Sequence, residues 1–136
     1  MIRRPKPAEL RAALWAVRAH RSVRRQLSRR PLDRVVLSHP RRIPARGRAG
    51  AIAVLARLRS TCLTRALVVQ AWDAAHDASR DLVIGVTSPG EGFAAHAWLE
   101  GDRAVAGRDY AELLRLPARS CVDGSTSPLA LEATSR

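Results

Sequence analysis

A chain of 136 residues with 46% hydrophobic and 26% charged residues has the make-up of one globular domain and is too short for two independent cores. No apolar run approaches the roughly 18 residues that span a bilayer. The basic opening Met-Ile-Arg-Arg-Pro-Lys-Pro lacks the apolar stretch and cleavage site of a secretory signal, so a cytoplasmic protein is expected.

The net charge of +12 is unevenly placed. Residues 1–60 carry 17 basic groups against Glu9 and Asp33, whereas residues 61–136 carry 7 basic groups against 10 acids. The N-terminal half is therefore suited to an acidic partner, or is a solvated basic face that reflects an arginine-rich coding bias, which Lys6 as the only lysine fits. An acidic protein or peptide fits better than nucleic acid, because Tyr110 and Phe93 are the only Tyr and Phe and leave little for stacking on bases.

Taken in chain order, residues 7–28 read as a helix that starts after Pro5 and stops before Pro31. Leu10, Leu14 and Val17 form its apolar stripe, with Arg11, Arg18, Arg21 and Arg25 largely off it. Residues 29–48, with Pro31, Pro40, Pro44 and Gly47, read as a loop with a short turn near Leu32–Leu37. Ala51 to Leu58 form a second helix. Ser60 and Thr61 then offer N-caps for a third, from Cys62 to about His76. That helix is apolar around most of its circumference, which places it at the centre of the domain.

After a polar break the period changes. Leu82–Val86 is a strand, residues 87–92 are a glycine- and proline-containing loop, and Phe93–Glu100 is a second strand. Gly101-Asp102 makes a tight turn, Arg103–Arg108 returns as a third strand, and Tyr110–Leu116 reads as a short helix stopped by Pro117. Helices followed by an antiparallel meander define an α+β domain. Its parts are a basic helical segment and loop (1–48), a core packed into the same unit (49–122) and a frayed tail (123–136).

The two cysteines, Cys62 and Cys121, have no neighbouring ligand pattern for zinc, and a cytosolic chain keeps thiols reduced. No metal or cofactor is expected. Cys62 heads a helix, where unpaired backbone N–H groups and the macrodipole favour negative charge. A helix terminus contributes only about 0.3–1 kcal/mol, however, and moving a thiol by two pH units takes about 2.7 kcal/mol. A nucleophilic cysteine therefore needs an imidazole.

Of the four histidines, His20 and His39 read as solvent-facing. His76 is 14 residues along the helix from Cys62, about 21 Å at 1.5 Å per residue. His96, in the apolar strand Phe-Ala-Ala-His-Ala-Trp-Leu-Glu, is the candidate base; a sheet packed on the cysteine helix brings it within reach. For the third member, Asp102 lies at the turn, almost 20 Å along the strand from His96. Asp109 falls closer on the expected hairpin and is the candidate, although it equally suits the N-cap of the helix expected at 110–116.

Together, Cys62-Leu-Thr-Arg-Ala-Leu-Val-Val-Gln-Ala-Trp, Leu82-Val-Ile-Gly-Val and Gly92-Phe-Ala-Ala-His-Ala-Trp-Leu-Glu100 resemble the lasso-peptide leader peptidases, stand-alone cysteine proteases of transglutaminase-like fold. The likeness covers roughly residues 50–115. It implies a transglutaminase-like, papain-like core that cuts the leader from a ribosomally made precursor peptide. The precursor is delivered by a small precursor recognition element, and the freed core passes to an ATP-dependent macrolactam-forming cyclase. The implied roles are Cys62 as nucleophile, His96 as base and Asp109 as the residue orienting His96, with the Cys62 backbone N–H as an oxyanion donor. Many relatives place an acid about 12 residues after the histidine, where this chain has Arg108. Two other readings stay open: a different acyl transfer or a deamidation on the same fold, and a non-enzymatic basic domain that binds nucleic acid.

Overall fold

The computed structural model describes residues 3–87, 90, 92–102 and 110–118. The strand expected over 103–108, the candidate Asp109, Cys121 and the tail 123–136 lie outside them. Three helices, α1 (Pro7–Leu27), α2 (Arg48–Arg57) and α3 (Cys62–Ala75), precede three strands, β1 (Leu82–Thr87), β2 (Ala95–Leu99) and β3 (Tyr110–Leu116). The strands form one antiparallel sheet in the order β2-β1-β3, which gives the α+β architecture expected. Among the described residues, no helix is long and apolar enough to cross a membrane.

The face that α1 buries differs from the one its leucines indicate. Ala8, Ala12, Trp15, Ala16, Ala19 and Val23 turn inward, while Leu10 and Leu14 are 55% and 53% exposed. The reason lies at the start of α2, from its N-cap Gly47 to Gly50. A Cβ on Gly47 would sit 2.6 Å from the Ala8 carbonyl oxygen, and one on Gly50 would overlap the Glu9 carbonyl. The two backbones approach so closely that only small residues fit between them, and alanine displaces leucine at the contact. Trp15 fills the far side of this seam, 5.5 Å from Trp72 of α3, and its indole N–H donates to the Ser38 carbonyl at 3.1 Å.

His20 also departs from expectation. It is buried on α1, with its Nδ1 unpartnered among the described residues. His39 is half-buried, and its Nδ1 is likewise without a partner. Burial, then the charges of Arg24 and Arg21, push the His20 imidazole below the ordinary histidine range. The unfolded chain therefore takes up this proton first. Stability present above about pH 6.5, the ordinary value, is lost as pH falls from there toward the folded-state value. Thermal melts between neutral and mildly acidic pH should show a steeper loss of Tm in the parent than in His20→Leu; parallel curves would contradict this.

Helix α3 is the central helix. Thr61 caps it, accepting from the Thr64 N–H at 3.3 Å and donating its own hydroxyl to Thr64 Oγ1 at 3.0 Å. Val68 and Trp72 pack with Leu55, Leu82, Leu99 and Val23 in the fully buried core. At the other end His76 lies against the carbonyls of Trp72 and Ile43, each at 2.8 Å, pinning the 38–44 loop to the helix. The buried Gln70 amide donates to the carbonyls of Arg80 and Leu116, fixing α3 to the sheet ends.

The sheet packs on α3 mainly through β2, and Ala97 and Leu99 face the core. β1 is central, pairing Leu82–Val86 with Leu99–Ala95 on one side and Leu82–Thr87 with Leu116–Tyr110 on the other. Tyr110–Leu116 is therefore a strand, not the helix its Ala-Glu-Leu-Leu sequence favours, and within the described sheet β1 stands between it and β2. The cause is the hydrogen-bonding demand of β1: a buried apolar strand leaves two rows of backbone groups that need partners, and β3 supplies the second row. A register shift at Ile84/Gly85 absorbs one extra residue of β3.

Candidate active site

A cleft of about 500 Å³ opens between the head of α3 and the edge strand β2. Cys62, Arg65 and Ser60 line one side; His96, Trp98 and Asp102 line the other. Cys62 is the first residue of α3 and is half-buried, and its sulfur is a free thiol. Thr61 satisfies the N–H of Thr64, so the side-chain cap leaves the N–H groups of Cys62 and Leu63 at the helix mouth. That terminus favours a thiolate, or an oxyanion formed beside it.

His96 comes from β2, opposite Gly85. Its ring lies 6.1 Å from Trp98, nearly parallel at 17°, and 5.7 Å from Tyr110 of β3, while Trp98 and Tyr110 are themselves 5.7 Å apart. The alternation of β2 sends Ala97 and Leu99 toward α3, and His96 and Trp98 to the opposite face. The imidazole nevertheless borders the cleft, because β2 is the edge strand of the described sheet. Among the described residues, no hydrogen bond joins it to the thiol.

Gly85 makes this grouping possible. A Cβ there would lie 2.8 Å from the Trp98 ring, so its missing side chain is the space the indole occupies. Tyr110 was hidden from sequence reasoning because its segment reads as a helix. Only its place in β3, two strands from His96, reveals the contact.

A chain of ion pairs links two of the residues that line the cleft, Arg48 and Asp102. Arg48 of α2 donates to both oxygens of Asp73 on α3, at 2.8 and 3.2 Å. Arg80 donates to Asp73 at 2.6 Å and to Asp102 at 2.7 Å. Burial alone would raise the Asp73 carboxyl, but its hydrogen bonds to Arg48 and Arg80 outweigh that and hold it below the usual range. Asp102, expected far from the chemistry, lines the cleft with its carboxylate engaged by Arg80. Asp73 carries its own signal in the sequence: a carboxylate in a largely apolar helix needs a cation. Among the described residues no group of His, Cys, Asp and Glu could hold a metal.

The profile of the Transglutaminase-like superfamily matches residues 7–116, from the first residue of α1 to the last of β3. Curated proteins and solved structures give no match. Members of this superfamily are typically cysteine-dependent enzymes of protease or acyltransferase type. The matched span includes both Cys62 at the head of the central helix and His96 on the adjoining strand. With more than half of its length matched, the chain belongs to the transglutaminase-like superfamily.

Proposed function

We propose that this chain is a cysteine peptidase that removes the leader from a ribosomally made lasso-peptide precursor. The observation that carries the reading is the opening of Cys62 and His96 onto one cleft, in a family of cysteine-dependent enzymes. The resemblance in the Cys62, Leu82 and His96 segments supplies the substrate class. Both side chains line the cleft that a peptide would enter, and catalytic hydrogen bonds often tighten only once substrate is bound.

His96 takes the thiol proton and the Cys62 sulfur attacks the carbonyl carbon at the leader–core junction. The oxyanion develops against the helix mouth, with the Cys62 N–H as one donor. His96 returns the proton to the departing amine of the core, leaving a thioester on the leader. Water, deprotonated by His96, attacks that thioester and releases the leader carboxylate and the thiol. Asp109, the residue before Tyr110, is the acid we assign to orient the imidazole. A small precursor recognition element delivers the leader, and a lasso cyclase receives the core, in the cytoplasm.

The test combines this chain, a lasso precursor and its recognition element, and follows product masses. Hydrolysis at the junction is expected, giving a free leader acid and a free core amine. A product joined to an added amine, or a side-chain amide converted to acid with the backbone intact, would replace this reading with acyl transfer or deamidation.

A further inference from the structure

We propose that the outer face of α1 and the loop after it form a docking groove for an acidic protein segment with apolar anchors. This does not rest on the peptidase reading. The groove, about 600 Å³, runs between α1 and residues 38–43, and shares no lining residue with the Cys62 cleft. Leu14, Trp15 and Ile43 give it an apolar floor; Arg11 and Arg18 stand at its rim. It is preformed, because the Trp15 bond to Ser38 and the His76 contact with Ile43 hold the loop against the helices.

Two features point to the occupant. The first is the inverted helix: α1 buries alanines against α2 and turns Leu10 and Leu14 to solvent one turn apart. Large aliphatic side chains so displayed beside a groove mark a surface that is covered in use. The second is charge. The described ion pairs engage Arg3, Arg48, Arg80 and Arg115, so Arg11 and Arg18 keep their charge for an outside partner. They stand two helical turns apart, about 10 Å, with Leu14 between them. A segment that places an apolar side chain between two carboxylates at that spacing, as an acidic amphipathic helix does, matches both features. Nucleic acid would leave the aliphatic floor unused, and a second copy would oppose one basic face to another.

The probe is a fluorescein-labelled synthetic helix of Glu, Ala and Leu, with two Glu one heptad apart flanking a Leu, measured by anisotropy. Three competitors accompany it: the same peptide with Leu changed to Ala, the same with Glu changed to Lys, and a single-stranded RNA. The protein is tested as the parent, as Arg11→Glu/Arg18→Glu and as Leu10→Ser/Leu14→Ser; these positions are solvent-facing, and thermal melts check folding. The parent should bind the Glu/Leu helix, with at least about tenfold weakening in each double variant and for each altered peptide. No binding to the parent, equal binding of the leucine-free peptide, unchanged affinity in the folded variants, or RNA as the tighter ligand would each overturn the proposal.

Discussion

Changing Cys62 to alanine should reduce leader removal by at least about 10³-fold while leaving the domain folded. The first half of the expectation follows from chemistry. The variant keeps the cleft, the helix mouth and His96, so any residual rate measures binding and oxyanion stabilisation without covalent catalysis. The second half follows from placement. Cys62 is half-buried at the first position of α3, outside the fully buried core, and alanine keeps the helical backbone that Thr61 caps. The melting curve should therefore stay close to that of the parent. The measurement is precursor mass over time, parent and variant side by side. Cleavage retained in the folded variant would remove Cys62 from the chemistry and the peptidase reading with it.

The largest expected loss of stability is at Asp73. Its carboxylate is buried, at 5% exposure, and bridges Arg48 and Arg80. Removing one member of a buried ion pair typically costs 3–5 kcal/mol, because the remaining charge is left without a partner. Here the arginines retain 44% and 25% side-chain exposure and recover part of their hydration, so Asp73→Ala should cost about 3 kcal/mol, the lower end of that range. Urea unfolding of parent and variant would read it as a lowered midpoint. Asp73→Asn, which keeps an acceptor but loses the charge, should fall between them. Because the folded carboxyl is held below its ordinary value, its stabilisation is complete above about pH 3.9 and fades as pH falls through the lower folded-state value. A midpoint unchanged in Asp73→Ala would show that the four-residue chain is a surface decoration.

The centre of the molecule was legible in the sequence for local reasons. Thr61, Cys62 and the apolar turns after them specify a capped, buried helix without help from the rest of the chain. The change of period at Leu82 and the glycines before Phe93 specify two strands and their loop. What escaped depends on distant neighbours. Alanines outcompete leucines for the inner face of α1 only because Gly47 and Gly50, far along the chain beyond an intervening loop, sit opposite Ala8 and Glu9. Ala-Glu-Leu-Leu-Arg-Leu has helical propensity and becomes a strand because β1 has an open side. His20 follows the buried face of α1 inward for the same reason that Leu10 follows the other face outward. The site was read to the same depth: Cys62 and His96 come from motifs on their own elements, whereas the approach of Tyr110 and the bracing by Asp73 come from tertiary structure alone.

The vacancy at position 85 has a reach beyond its own strand. A hydrogen there lets the Trp98 indole settle over the middle strand, and that indole is one of the two rings against which His96 rests. A single methyl at 85 would lift the indole and carry the imidazole with it, so the pose of the candidate base is set by a residue that never touches the cleft.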